Sequence, residues 1–191
     1  MHSLYRPAAL DLCAEPLENG RSLRLRVNGN SMSPALRPGD LLVIRAVSPE
    51  ALRPGDLLVV RRPSDLVTHR LIAWDRDGYH TKGDAYPQPD LPVPAGEVLG
   101  RVAVVKRGGR YIDYALSPWP AVNSILGLLG RWEAAAWGLG WVSARERRPR
   151  SGRLTGRLLS FPFSLAGRCL SWSAAHANPG AFRHGMRSGE K

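Results

Sequence analysis

Ser31 lies in the stretch GNSMSPALRPGD, residues 29–40, where two serines flank a methionine ahead of a proline and a Pro-Gly turn. A serine hydroxyl is a weak nucleophile until a base takes its proton. The stretch carries chemistry only if a base and an orienting group lie elsewhere in the chain. Five histidines are present, His2, His69, His80, His176 and His184, and of these only His69 and His80 fall where strands are expected. Imidazole is abundant in its neutral form near pH 7, so it can accept a serine proton without special tuning. Two carboxylates sit in Gly/Pro-rich surroundings: Asp84 follows Lys82-Gly83, and Asp90 stands in the middle of the loop YPQPDLPVP, residues 86–94. An Asp in such a loop is ordinarily a turn former. A stiff proline loop can also hold a carboxylate against an imidazole, fixing its tautomer.

The elements that must position these groups are short strands. From Ser22 the chain alternates, with Leu23, Leu25 and Val27 apolar and Arg24 and Arg26 polar, the pattern of a half-buried strand. A near-duplicate follows: Leu36–Arg45 is LRPGDLLVIR and Leu52–Arg61 is LRPGDLLVVR, differing at one position in ten. Each copy reads as a Pro-Gly turn feeding a buried strand. Two copies are too few for a solenoid. Further strands are expected at 66–74, with Val67, His69 and Leu71 on one face, and at 79–82, 98–106 and 111–114. Closely spaced strands predict a mainly β body over residues 22–116, after an N-terminal segment, residues 1–21. Residues 117–174 read as a basic, Trp-rich amphipathic helical extension, and 175–191 as a disordered tail.

Composition bounds the partners. The 191 residues carry a formal net charge of +11, with 43% hydrophobic and 23% charged residues, as in a globular protein. Residues 1–114 hold 16 Lys/Arg against 13 Asp/Glu, a net of +3, whereas residues 115–191 hold 11 against 3, a net of +8. The excess therefore belongs to the C-terminal part, where RERRPRSGRLTGR, residues 145–157, follows Trp119, Trp132, Trp137 and Trp141. Two readings of residues 119–170 stand side by side: a helix packed on the β body with a solvated arginine run, or a peripheral contact with an anionic membrane surface. Nucleic acid is disfavoured because no recognised motif accompanies the charge. Cys13 and Cys169 form neither a disulfide framework nor a CxxC metal pair, and the pattern calls for no cofactor or metal. No signal peptide or membrane-spanning run is legible, so a peripheral membrane or cytoplasmic location is expected.

Taken together, Ser31-Met32 with Pro34, Gly39-Asp40, Gly55-Asp56-Leu57, His69-Arg70 and Lys82-Gly83-Asp84 resemble the signal peptidase I family, in the branch typical of the endoplasmic reticulum, archaea and some Gram-positive bacteria. That branch reads roughly S-M-x-P, G-D, G-D-[ILV]-V, H-R and K-G-D, with a further Asp six residues on, where Asp90 stands. The resemblance implies a signal-peptidase/LexA-like β catalytic body and a serine endopeptidase with Ser31 as nucleophile, His69 as general base, Asp90 as the triad carboxylate and Asp84 as a supporting carboxylate. It also implies that Met32 packs beside the substrate and that the Ser31 N–H serves the oxyanion. The implied substrate is a leader or pro-peptide of a preprotein, cut after a small residue. Lys82, Lys106 and Lys191 are the only lysines, and none stands where a Ser/Lys dyad would need it.

The chain departs from that family in three places. Gly29-Asn30 replaces the usual Ser-Gly before the nucleophile, leaving Asn30 to substitute for an upstream hydroxyl. Ala85-Tyr86 replaces the asparagines that often follow K-G-D, and the usual N-terminal membrane anchor is not legible. Two alternatives remain open. One is a self-cleaving regulator of the LexA type, for which Ala95-Gly96 and Ala166-Gly167 are formal sites, although no helix-turn-helix precedes the β body. The other is a peptide-binding module that kept the fold and lost the activity.

Overall fold

In the computed structural model, the described residues are Leu17 and 19–136. Seven strands form one antiparallel sheet: β1 (Leu23–Arg26), β2 (Leu41–Arg45), β3 (Leu57–Arg62), β4 (Asp65–Asp75), β5 (Gly78–Lys82), β6 (Val98–Arg107) and β7 (Arg110–Asp113). One helix, α1 (Trp119–Ala136), follows. The order across the sheet is β1-β2-β6-β3-β4-β5, and β7 pairs with β6 beside β3. This is the mainly β body with a C-terminal helix that the alternating and helical patterns lead one to expect. The remaining part of the helical extension, residues 137–174, and the tail at 175–191 lie outside the described residues, as do residues 1–16.

The two LRPGD copies flank the same strand, β2 on one side of β6 and β3 on the other. In each, Gly takes a positive φ, 91° at Gly39 and 105° at Gly55, and this is why the turn needs glycine. Each Asp closes its turn by accepting the backbone N–H three residues back, Arg37 to Asp40 at 2.8 Å and Arg53 to Asp56 at 2.9 Å. Each Asp also holds an arginine of β6: Asp40 takes Arg107 Nε at 2.9 Å, and Asp56 takes Arg101 Nη1 at 3.3 Å. The repeated motif thus ties two turns to one central strand.

Identical sequences meet different surroundings. On β3, Leu57 and Val59 enter one core cluster with Leu42, Ile44, Val102 and Val105, while Leu58 and Val60 enter a second with Leu52, Leu71 and Val93. β3 is covered on both faces, so its continuous apolar run is fully buried. β2 buries Leu42 and Ile44, while Leu41 and Val43 are only half-buried and Arg45 is exposed.

Helix α1 lies against the β4 side of the sheet. Its approach is close: a Cβ on Gly127 would stand 2.5 Å from the Gly55 nitrogen, and one on Gly55 would stand 2.2 Å from the Asn123 carbonyl oxygen. Only glycine at both positions lets the helix backbone meet the second LRPGD turn. Asn123, Leu126, Glu133 and Ala134 face inward. The outer face leaves Ile125, Leu128 and Trp132 exposed.

Candidate active site

His69 is the fifth residue of β4, opposite Leu58 on β3, and this inner position buries the imidazole. The neighbouring strand β5 ends at Lys82. The proline loop after it folds back along β5 through bridges between Lys82 and Pro89 and between Tyr79 and Val93. Prolines suit this edge because they carry no backbone N–H to satisfy, and the loop covers the free strand edge. The Asp90 N–H donates to the Thr81 carbonyl at 2.8 Å, which sets the aspartate beside the β4 ring.

The outcome is a histidine with its two nitrogens in different environments. Nδ1 is 2.6 Å from Asp90 Oδ2, and the Thr81 hydroxyl donates to the same oxygen at 2.7 Å. Burial by itself would raise the Asp90 carboxyl, but the His69 ring, the Thr81 hydroxyl and the charge of Arg62 outweigh it and hold the group below its ordinary value. Asp90 is then ionised near pH 7 and can only accept, so the proton belongs on Nδ1. That leaves Nε2 with its lone pair free as an acceptor.

Nε2 faces Ser31 across Gly83. A Cβ built on Gly83 would lie 3.2 Å from His69 Nε2, 3.3 Å from Ser31 Cβ and 2.8 Å from the Ser31 carbonyl oxygen. Ser31 Cβ and His69 Nε2 are therefore separated by no more than the first two distances combined, and no side chain at position 83 stands between them. Ser31 and His69 are not hydrogen-bonded to each other; in such sites this contact often tightens only in the substrate complex. The Ser31 backbone N–H donates to no group among the described residues, so it is available to an incoming oxyanion.

Asp84 is near the site but engaged elsewhere. Arg70 binds it through two parallel bonds, Nε to Oδ1 at 2.8 Å and Nη2 to Oδ2 at 2.7 Å. Arg70 is only 1% exposed, and its remaining reach is filled by the Gly55 carbonyl at 2.8 Å and Asn123 Oδ1 at 2.9 Å. Burial pulls the guanidinium down, and Asp84 more than reverses this, leaving Arg70 above its ordinary value. Asp84 fixes the turn that carries Gly83, and its carboxylate hydrogen-bonds to neither Ser31 nor His69. The following residue, Ala85, donates its N–H to the Ser31 carbonyl at 2.9 Å.

Two other expected positions fall differently. Met32 is 2% exposed and belongs to the main core cluster, so it anchors the Ser31 loop from beneath and offers no open surface here. Asn30 is exposed, and its carbonyl accepts the Ser33 N–H at 3.0 Å. Sequence reasoning overlooked Thr81, Arg70, Lys82, Asn123 and Glu133. The dipeptide His69-Arg70 and the tripeptide Lys82-Gly83-Asp84 were the available signals for two of these. Nothing in the local sequence pointed to Thr81 on β5, or to Asn123 and Glu133 on α1. His80 pairs with Asp75 at 2.9 Å, on the side of β5 away from this cluster.

Among the described residues, no group of three or more His, Cys, Asp or Glu could hold a metal ion, and no helix is long and apolar enough to cross a membrane. The family model described as Peptidase S24-like matches residues 7–103, which include Ser31, His69, Asp84 and Asp90. No curated protein and no solved structure matches the chain.

Proposed function

Because the chain belongs to the Peptidase S24-like family, we propose that it is a serine endopeptidase with Ser31 as nucleophile, His69 as general base and Asp90 as the carboxylate that orients the base. The family carries serine-peptidase chemistry or self-cleavage of the LexA type. The observation that favours this assignment is the division of the His69 ring, with Nδ1 on Asp90 and Nε2 toward Ser31 across Gly83.

The reaction follows from those atoms. His69 Nε2 takes the Ser31 hydroxyl proton as Oγ bonds to the scissile carbonyl carbon, and Asp90 stabilises the imidazolium through Nδ1–H. The Ser31 N–H donates to the oxyanion, where such a donor contributes about 3 kcal/mol of barrier lowering. Collapse breaks the C–N bond, His69 protonates the leaving amine, and the acyl-serine remains. Water, deprotonated by Nε2, then attacks the ester and regenerates Ser31. As in signal peptidases, the substrate would be a leader or pro-peptide cleaved after a small residue. The test is a mixed peptide library read by mass spectrometry. Wild type should cleave after small residues, and Ser31→Ala should retain its circular dichroism spectrum and cut nothing. Cleavage by Ser31→Ala refutes the assignment.

A second reading, self-cleavage, is favoured by the family and by the exposure of Ala95-Gly96 in the 3-10 turn Ala95–Glu97. Intact mass after long incubation at raised pH separates the two, since self-cleavage at that bond yields two fragments. A binding module without activity would leave Ser31 unlabelled by a fluorophosphonate. We further propose that residues 119–170 meet an anionic lipid surface. The apolar stripe Ile125, Leu128 and Trp132, with Leu128 54% and Trp132 60% exposed, belongs to the C-terminal part, residues 115–191, whose net charge is +8. Co-sedimentation with phosphatidylglycerol vesicles should fall in Leu128→Ser/Trp132→Ser, and equal binding by that variant refutes the contact.

A further inference from the structure

The turn Gly83–Tyr86 is the strut between nucleophile and base. Gly83 lies against Ser31 and His69 Nε2, Asp84 takes Arg70, and the Ala85 N–H holds the Ser31 carbonyl. The turn closes on itself through the Tyr86 N–H and the Gly83 carbonyl at 3.1 Å. Lys82 precedes it, and its ammonium does not point to solvent. Nζ curls back and donates to the carbonyls at both ends of the same turn, Tyr86 at 2.6 Å and Gly83 at 3.2 Å. Its third partner comes from α1: Glu133 Oε2 at 2.9 Å, with both side chains only 4% exposed.

A buried ion pair is costly unless its remaining donors are satisfied, and here every proton of the ammonium has an acceptor. The helix is shaped for the contact, because Gly130, one turn before Glu133, leaves room for the Lys82 stem: a Cβ there would stand 3.3 Å from Lys82 Cε. Opposite Lys82 in strand register is Arg70, which the same helix engages through Asn123. Helix α1 lies beyond residues 7–103 that the family model covers. It nonetheless supplies a partner to each of the two buried cations that brace the turn.

We infer that Glu133, acting through Lys82, is a positioning residue for the peptidase site: it locks the ammonium onto the Gly83–Tyr86 turn and so holds Ser31 and His69 in register. The inference rests on the serine-peptidase reading and extends the working site to the helix outside the family-matched segment. Glu133 itself touches no reacting atom. Burial raises its carboxyl above the ordinary value against the opposing charge of Lys82, in keeping with a dry contact.

The test measures phosphonylation of Ser31 by a fluorophosphonate in the full chain, followed by intact mass and resolved into kinact and KI. Wild type and Ser31→Ala come first. Absence of Ser31 labelling in wild type overturns the peptidase reading, and the inference with it. If wild type is labelled, two variants test the clamp. Glu133→Gln removes the counter-charge. Lys82→Met/Glu133→Leu replaces the pair with apolar groups of similar volume, which leaves no unpaired buried charge, so the fold should be retained with a melting temperature at or above wild type. The clamp predicts that kinact falls at least tenfold in both variants while KI stays within twofold. The discriminating result is a stable double variant that is slow. A double variant with wild-type kinact shows that the pair serves stability alone and overturns the inference, whatever Glu133→Gln does.

Discussion

Replacing Asp90 by asparagine tests the chemistry most directly, because the side chain keeps its shape and loses its charge. In the wild-type site the carboxylate is 2.6 Å from Nδ1, so proton transfer to Nε2 creates an imidazolium beside a fixed anion. With the charges about 4 Å apart and an effective dielectric near 20, that attraction is worth about 4 kcal/mol, or roughly 10³-fold in rate. The side chain of Asp90 is 24% exposed, which places the electrostatic part at or below that figure. A second effect adds to it. His69 Nδ1 and the Thr81 hydroxyl meet the same carboxylate oxygen, so an asparagine whose amide nitrogen takes that place presents N–H to Nδ1, driving the ring proton onto Nε2 and removing the base. In Ser/His/Asp sites generally the same exchange costs about 10⁴-fold. Asp90→Asn should therefore lower the fluorophosphonate labelling rate of Ser31 near pH 7 by about 10³- to 10⁴-fold. Thermal stability should change by only about 1–2 kcal/mol, since a hydrogen bond to Thr81 remains possible. A labelling rate within tenfold of wild type would show that Asp90 does not orient the base.

Three further outcomes follow from the geometry. Gly83→Ala places a methyl 2.8 Å from the Ser31 carbonyl, a backbone atom that must move, so labelling should fall about 100-fold; a variant that labels normally would mean that Ser31 and His69 need no direct approach. Asp84→Asn strands the buried Arg70 guanidinium, at a cost of about 3–5 kcal/mol, and the melting temperature should drop by roughly 6–20 °C; a drop below about 3 °C would show that the pair does not brace the fold. Asp90 also contributes to acid sensitivity. Its folded value lies below the unfolded value near 3.8, so the unfolded chain binds the proton first. Its stabilisation is complete above that value and is lost as pH falls through the lower folded one. Denaturant titrations across that range should show a shallower pH slope for Asp90→Asn than for wild type, and identical slopes would remove Asp90 from the account.

Much of this architecture is local and periodic, and so it is legible in the chain. Alternation marks β1, the apolar quartets mark β2 and β3, and the Pro-Gly pairs mark turns whose glycines need a positive φ. Ser31, His69 and Asp90 stand out because nucleophile, base and carboxylate each require a particular functional group in a particular order. Some of what is hidden is hidden by duplication. LRPGDLLVIR and LRPGDLLVVR are nearly the same string, yet one strand is covered on both faces and the other is half-open, a difference set by their neighbours in the sheet.

What the sequence alone determined is the set of elements and the chemical identities of the groups, because both follow from side-chain periodicity and functional-group type within a few residues. What only the tertiary structure decided is which groups meet. Asp84 is given to Arg70, Met32 is sunk in the core, and Lys82 is turned inward to a glutamate 51 positions away on a helix whose pattern advertises only an apolar face. Those pairings depend on where strand register and helix docking bring distant residues within about 3 Å, and a hydrogen bond at that range leaves no trace in local composition.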